Sequence, residues 1–302
     1  MHILKKPILL LVIMLSVSLA MALELDPSLL RKHPQWVQDV VSDLDKQVAK
    51  YALPGGIIGI SLKDLITGET FSVNGRQPFN PASVIKIPVM VEAFHQIDEG
   101  ELSMDDLLTL RFHNKIPGAG SIQYAREGSR FTVRKLVEEM ITNSDNTATN
   151  MLIEKLGMYS INAYMNKIGM RRTVIKDPTM LCKKPGRFNL TTPEDMLLVM
   201  DKIYRGQVIS QKASAEMLEI MKRQHHKWGI ARFLPRDVII ANKTGSLDFV
   251  RNDVGIIMGE RPYILSIFCR NLPSNHFGSV LVGAMSKVIY ERRLQQSASS
   301  EG

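Results

Sequence analysis

The chain has 302 residues, 45% hydrophobic and 23% charged, with 20 Gly, 14 Pro and two Cys. These proportions exclude collagen-like, disordered and polytopic membrane classes and leave a globular fold of one large domain or two intimate ones. Lys plus Arg total 38 against 30 Asp plus Glu, a formal charge of +8. That excess alone fits nucleic acid, an anionic membrane or wall polymer, or an anionic substrate equally well.

Residues 1–22 carry Lys5 and Lys6, an apolar run from Pro7 to about Leu19, and then Ala20-Met21-Ala22. This is the pattern of a secretory signal with a small-x-small cleavage site. Export to a periplasmic or extracellular space is expected, and the same run left uncut would be a membrane anchor of barely spanning length. Cleavage after Ala22 leaves about 280 residues near +6. Cys182 and Cys269 could pair in an oxidising compartment, but one pair is no disulfide framework, and buried free thiols are the expected state.

From Pro27 to Tyr51, Leu30, Trp36, Val40, Val41, Leu44 and Val48 recur at mostly helical spacing. Gly56–Leu62 and Thr70–Val73 are short β-type runs joined by Thr67-Gly68-Glu69, a hairpin signature. Between about Pro81 and Glu219 the pattern is helical, interrupted near Pro117–Gly120, Gly128 and Lys183–Asn189. Strand-like runs follow at Val238–Lys243, Val254–Met258 and Tyr263–Cys269, then an amphipathic helix from Phe277 to about Leu294. Strands at both ends and helices between them predict an α+β fold in which residues 23–79 and 236–302 share one antiparallel sheet. Residues 80–235 then form an all-helical part, with a cleft at the boundary.

Three short motifs carry candidate chemistry. Ser83-Val84-Ile85-Lys86 opens the helix Val84–Phe94, and three-residue helical spacing puts the Lys86 amine near the Ser83 hydroxyl. A desolvated lysine can activate such a hydroxyl, while the plainer reading makes Ser83 a helix cap. Ser83 is the only Ser with a Lys three positions on. Ser144-Asp145-Asn146 interrupts a helical pattern in a turn that could aim a hydroxyl and an amide into a cleft, with Asp145 bonding local backbone. Lys243-Thr244-Gly245-Ser246 follows the strand run Val238–Ala241, with Gly245 permitting close approach of a ligand.

In that order, about 60 and about 100 residues apart, the motifs resemble those of the serine penicillin-recognising enzymes, the class A β-lactamases and DD-peptidases, whose S-x-x-K, S-D-N and K-T-G elements line one site. Gly120–Tyr124, Phe131–Leu136, Ser144–Asn150, Thr191-Thr192-Pro193 and Arg251–Gly255 also look like class A segments, and the likeness spans roughly Pro54 to Leu294. The resemblance implies a β-lactamase/DD-peptidase-like fold, a five-stranded antiparallel sheet flanked by helices. It implies Ser83 as the acylated nucleophile, Lys86 as the base or proton carrier beside it, and Ser144 with Lys243 as the proton route to the leaving nitrogen. Asn146 would hold the substrate amide, the N–H groups of Ser83 and Ser246 the oxyanion, and Lys243, Thr244, Ser246 and Arg251 the substrate carboxylate.

The chain departs from the class A pattern where a Glu should activate the deacylating water. Between Gly169 and Thr192 the only acid is Asp177, and Glu194 falls in a helix start with Thr192 as cap and Pro193 at the first position. Asp177 is a candidate substitute base, although Asp-Pro also simply makes turns. A long-lived acyl-enzyme with β-lactams or D-Ala-D-Ala-type peptides is therefore expected. The alternatives are a true β-lactamase using Asp177 and a non-catalytic penicillin- or peptidoglycan-binding sensor. Expected partners are a β-lactam or a peptidoglycan stem peptide; no nucleic acid, metal or cofactor is expected, and a monomer is. Metal binding lacks a motif because His225-His226 is an adjacent pair with no H-x-x-x-H spacing. Arg171, Arg172, Lys176, Lys183, Lys184 and Arg187 surround Asp177, a cationic rim suited to an anionic wall fragment or a β-lactam carboxylate.

Overall fold

The computed structural model describes residues 32–50, 55–177 and 188–300. The predicted signal at 1–22, Cys182 and the basic residues Lys183, Lys184 and Arg187 lie outside the described residues.

Helix α1 (Gln35–Lys50) opens the described chain, and its Val37, Val40, Val41, Leu44 and Val48 are buried along one stripe. Strands β1 (Ile57–Asp64) and β2 (Thr70–Val73) form the hairpin expected around Gly68, which adopts a φ of 78° that favours glycine. At the other end of the chain come β5 (Ile240–Leu247), β6 (Val250–Ile257) and β7 (Tyr263–Arg270), then the long helix α8 (Asn275–Ser300). The five strands form one sheet in the order β2-β1-β7-β6-β5, and the pairings are antiparallel. Thus β1, from the front of the chain, pairs along its whole length with β7.

Both sheet faces are covered, and strand alternation sorts the side chains between two cores. On one face Ile58, Ile60 and Leu62 of β1 and Leu265 and Ile267 of β7 pack with α1 and α8. Ile264 and Phe268 of β7 and Val254 and Ile256 of β6 face the other way, toward the intervening helices. A buried ion pair, Arg293 to Asp64, ties α8 to the end of β1, and the same guanidinium lies over Trp36 and Tyr263. Removing either ionic partner would strand a buried charge at a cost of about 3–5 kcal/mol.

The middle segment supplies α2 (Lys86–Asp98), α3 (Val133–Thr142), α4 (Asn146–Leu156), α5 (Met158–Lys167), α6 (Pro193–Tyr204) and α7 (Gln211–Lys222). It is not wholly helical. Strands β3 (Leu107–Thr109) and β4 (Arg130–Thr132) pair as a small separate ribbon, each too short and too exposed to show alternation in sequence. Thr132, Asp145, Thr192 and Ser210 cap α3, α4, α6 and α7 by accepting backbone N–H bonds, each cap contributing about 1 kcal/mol.

The boundary of β5 differs from the sequence reading. Lys243-Thr244-Gly245-Ser246 lies inside the strand, not after it, and pairs with Arg251–Val254 of β6. Its residues look turn-like only because they are polar. Lys243, at 0% exposure, and Thr244, at 2%, are buried against other polar groups.

Candidate active site

Ser83 sits in a short 3-10 turn, Ala82–Ile85, immediately ahead of α2. It caps no helix: neither the turn nor α2 has a side-chain cap hydrogen bond at its start, and Ser83 Oγ has no hydrogen-bond partner among the described residues. The turn is seated by the sheet. Asn252 Nδ2 of β6 donates to Asn80 O at 2.9 Å, and Asn80 Oδ1 accepts from Ala82 N at 3.0 Å. Ala82 is held at a φ of 47°, a conformation that costs a non-glycine residue energy and clusters at functional sites. Gly245 of β5 presses directly on this turn, where a Cβ would stand 2.7 Å from Pro81 O and 3.0 Å from Val84 Cγ2. The close approach that Gly245 permits is therefore between strand and turn.

Lys86 begins α2 and is fully buried. Its Nζ donates to Ser144 O at 2.6 Å, Ser144 Oγ at 3.1 Å and Asn146 Oδ1 at 2.9 Å. Lys243 Nζ reaches the same hydroxyl, Ser144 Oγ, at 3.0 Å, and donates to Thr244 O at 2.8 Å. Burial depresses Lys86 well below the usual lysine range, and the neighbouring Lys243 charge depresses it further against the pull of Asp145. Burial also lowers Lys243, to about 7, with the Asp253 charge opposing the change.

The turn between α3 and α4 presents the shared hydroxyl. Ser144 adopts a φ of 57°, and Asp145 does more than bond local backbone. One oxygen caps α4 through Ala148 N at 2.8 Å, while the other accepts from the distant Ile122 N at 2.9 Å. Asn146 Nδ2 donates to Pro117 O at 3.2 Å, so the 117–122 loop is clamped to the turn. Gly120, at a φ of 95°, leaves room for the Asp145 carboxyl. Nothing local in the sequence announces these long-range bonds beyond the glycines near position 120.

On the far side of β5, Thr244 lies opposite Asp253 and Ser246 opposite Arg251. Arg251 Nη1 donates to Ser246 Oγ, and Asp253 accepts from Asn242 Nδ2 at 2.9 Å and from Ile230 N at 2.7 Å. Burial raises the Asp253 carboxyl to about 6, against those hydrogen bonds and the Lys243 charge. The structure thus brings Lys86, Ser144, Asn146 and Lys243 together by direct hydrogen bonds, while Ser246 and Arg251 form an adjoining pair.

Glu194 lies elsewhere, with its side chain on Arg76 at 3.1 Å, its N–H donating to Gly75 O at 3.0 Å, and Thr192 capping the helix it begins. Asp177 is buried, and Val174 forms a β-bridge with Leu190. Arg171, Arg172 and Lys176 are exposed. Cys269 is a buried free thiol, raised by desolvation. Among the described residues no group of three metal-ligating side chains converges.

A model of the β-lactamase enzyme family matches residues 39–293. The chain belongs to the β-lactamase enzyme family. This β-lactamase-family chain is 27% identical over 265 residues to a β-lactamase of Rhodobacter capsulatus, covering 83% of this chain and 86% of that one. Among solved structures it resembles a β-lactamase from Sphaerobacter thermophilus, with a TM-score of 0.79 and 31% identity over 86% of this chain and 99% of that one. It resembles PBP-A equally, with a TM-score of 0.79 and 30% identity over 85% of this chain and 96% of that one. A point mutant of PBP-A is known as its acyl-enzyme complex with penicillin G. The protein is a serine hydrolase of the β-lactamase family with that family's α+β fold.

Proposed function

We propose that this protein is an exported acyl-transfer enzyme that forms a Ser83 ester with β-lactams or D-Ala-D-Ala-type peptides and releases it slowly. The observation that carries the reading is the convergence of two buried lysines, Lys86 and Lys243, on Ser144 Oγ. A neutral amine has two N–H groups and one lone pair, so Lys86 cannot donate all three of its contacts once it has lost a proton. With Ser144 O and Asn146 Oδ1 as acceptors, its lone pair is free to take the Ser83 proton. Ser83 Oγ then bonds to the substrate carbonyl carbon, and the C–N bond breaks as the nitrogen gains a proton from Ser144, which Lys243 replenishes. The N–H groups of Ser83 and Ser246 would hold the oxyanion, each worth about 3–4 kcal/mol in comparable sites.

The substrate carboxylate would lie near Lys243, Thr244, Ser246 and Arg251 in a cleft between the sheet part (23–79 and 236–302) and the middle segment (80–235). Slow release follows from the 170–191 stretch, which contains no Glu, and from Glu194 being engaged at Arg76 and Gly75. The acyl-enzyme formed with penicillin G by the PBP-A mutant supports the acylation step. Relatives described as β-lactamases favour a second reading, fast β-lactam hydrolysis with Asp177 as the base.

Intact-mass spectrometry with and without penicillin tests the proposal. A single adduct that persists, and that Ser83→Ala abolishes, is expected. Rapid nitrocefin turnover lost in Asp177→Ala would establish the second reading, and no adduct at all would leave a non-catalytic binder.

A further inference from the structure

We propose that Trp228 is a positioning residue that favours anionic substrates by holding the Arg251 guanidinium beside Ser246 at the end of β5. The inference rests on the acyl-transfer reading above and adds to it the group that orients the cation. Arg251 lies on β6, opposite Ser246 in the ladder. Two of its three nitrogens are engaged: Nη1 donates to Ser246 Oγ, to Leu247 O at 3.4 Å and to Val250 O at 3.1 Å, and Nε donates to Ser279 Oγ at 3.2 Å. Nη2 makes no hydrogen bond among the described residues. Gly278 of α8 makes room behind the stem, since a Cβ there would stand 2.7 Å from Arg251 Cγ.

The Trp228 ring covers the guanidinium, with Arg251 Cζ 4.9 Å from the ring centroid. The ring is itself placed by the site. Its segment is held at one end by His225 Nδ1 on Asn143 Oδ1 at 2.7 Å, next to Ser144 in sequence, and at the other by Ile230 N donating to Asp253 Oδ2. An arginine bonded through Nη1 and Nε and covered by an aromatic ring has little rotamer freedom left to lose on binding, so its Nη2 donors are ready for a carboxylate. Ser246 and Thr244 lie on the same face of β5, so a carboxylate at this strand meets the Arg251 guanidinium at its Ser246 end, where Trp228 holds it.

The test follows acylation of Ser83 by penicillin G and by its methyl ester, using intact-mass spectrometry at subsaturating concentrations. Trp228→Ala should slow acylation by the acid about fivefold, the size of one cation–π contact, and leave the ester rate unchanged. Trp228→Phe should restore most of the loss, and Trp228→Ala combined with Arg251→Ala should be no slower than Arg251→Ala alone. Equal losses with acid and ester, an additive double variant, or no loss at all would overturn the inference. If the wild-type protein gains no mass, the acyl-transfer reading fails, and carboxylate recognition is read instead from fluorescence. Trp228 is one of two tryptophans, so titration with N-acetyl-D-alanyl-D-alanine and with its C-terminal amide applies. A response to the acid alone, lost in Arg251→Ala, supports the assignment, and equal responses overturn it.

Discussion

Lys86 and Lys243 donate to one oxygen, Ser144 Oγ, at 3.1 and 3.0 Å. Two buried ammonium groups this close titrate as a coupled pair. Lys86 feels the Lys243 charge on top of its own burial, whereas Lys243 is supported by Asp253. Burial and the Lys243 charge thus both push Lys86 toward the neutral amine, whereas the Asp253 charge favours Lys243 as the cation of the pair.

This ordering gives a pH dependence with opposite signs for rate and stability. Acylation at subsaturating penicillin should fall as pH rises through about 7, where Lys243 loses its charge. Lys243→Arg, which keeps a cation, should remove that falling limb. Folding stability should run the other way. Between about 7 and the ordinary lysine value the unfolded chain holds a proton that the folded chain has released, so stability rises with pH across that window. Acylation rates and thermal melts over one pH series check both signs, and parallel slopes would refute the assignment.

Lys86→Met should separate function from folding. The substitution keeps much of the buried volume while removing an amine at 0% exposure, whose desolvation opposes folding. Melting temperature should hold or rise, although Ser144 and Asn146 each lose a partner, while acylation drops by about 10²–10⁴-fold, the range for loss of a general base. Unchanged acylation would remove Lys86 from the mechanism.

Gly245→Ala should damage the site through the backbone. Its Cβ would meet Pro81 O at 2.7 Å, so the strand and the Ser83 turn must part. A loss of about 1–3 kcal/mol in stability is expected from overpacking, with slower acylation. Chemical denaturation and adduct formation on one preparation measure the two effects.

Glu194→Ala should leave the acyl-enzyme lifetime unaltered. Its Arg76 contact is solvent-exposed, and such pairs contribute at most about 1 kcal/mol. Decay of the penicillin adduct in Glu194→Ala and Asp177→Ala, followed by mass, distinguishes a structural acid from a water-activating one.

Much of the sheet was legible because β1, β7 and the second half of β6 are apolar runs, whereas β6 begins at Val250, ahead of the run read from Val254, through the polar Arg251, Asn252 and Asp253; the order of the Ser83, Ser144 and Lys243 motifs pointed to the family. The end of β5 was misread because strand patterning assumes that polar residues face water, whereas Lys243 and Thr244 are buried on polar partners. The β3–β4 ribbon escaped because three residues carry no period. Trp228, Asn252 and the Asp145–Ile122 bond reach their partners only through the tertiary fold, and single-sequence spacing contains no trace of such contacts.

The pairing of β1 with β7 also bears on the order of events during synthesis. Ile57 lies opposite Arg270, so the first strand of the sheet waits for nearly the whole chain before its central neighbour exists. Such a long closure slows folding and delays completion of the core. The emerging polypeptide therefore leaves its sheet incomplete until late, and the apolar residues of β1 go without their β7 neighbours until synthesis is almost over.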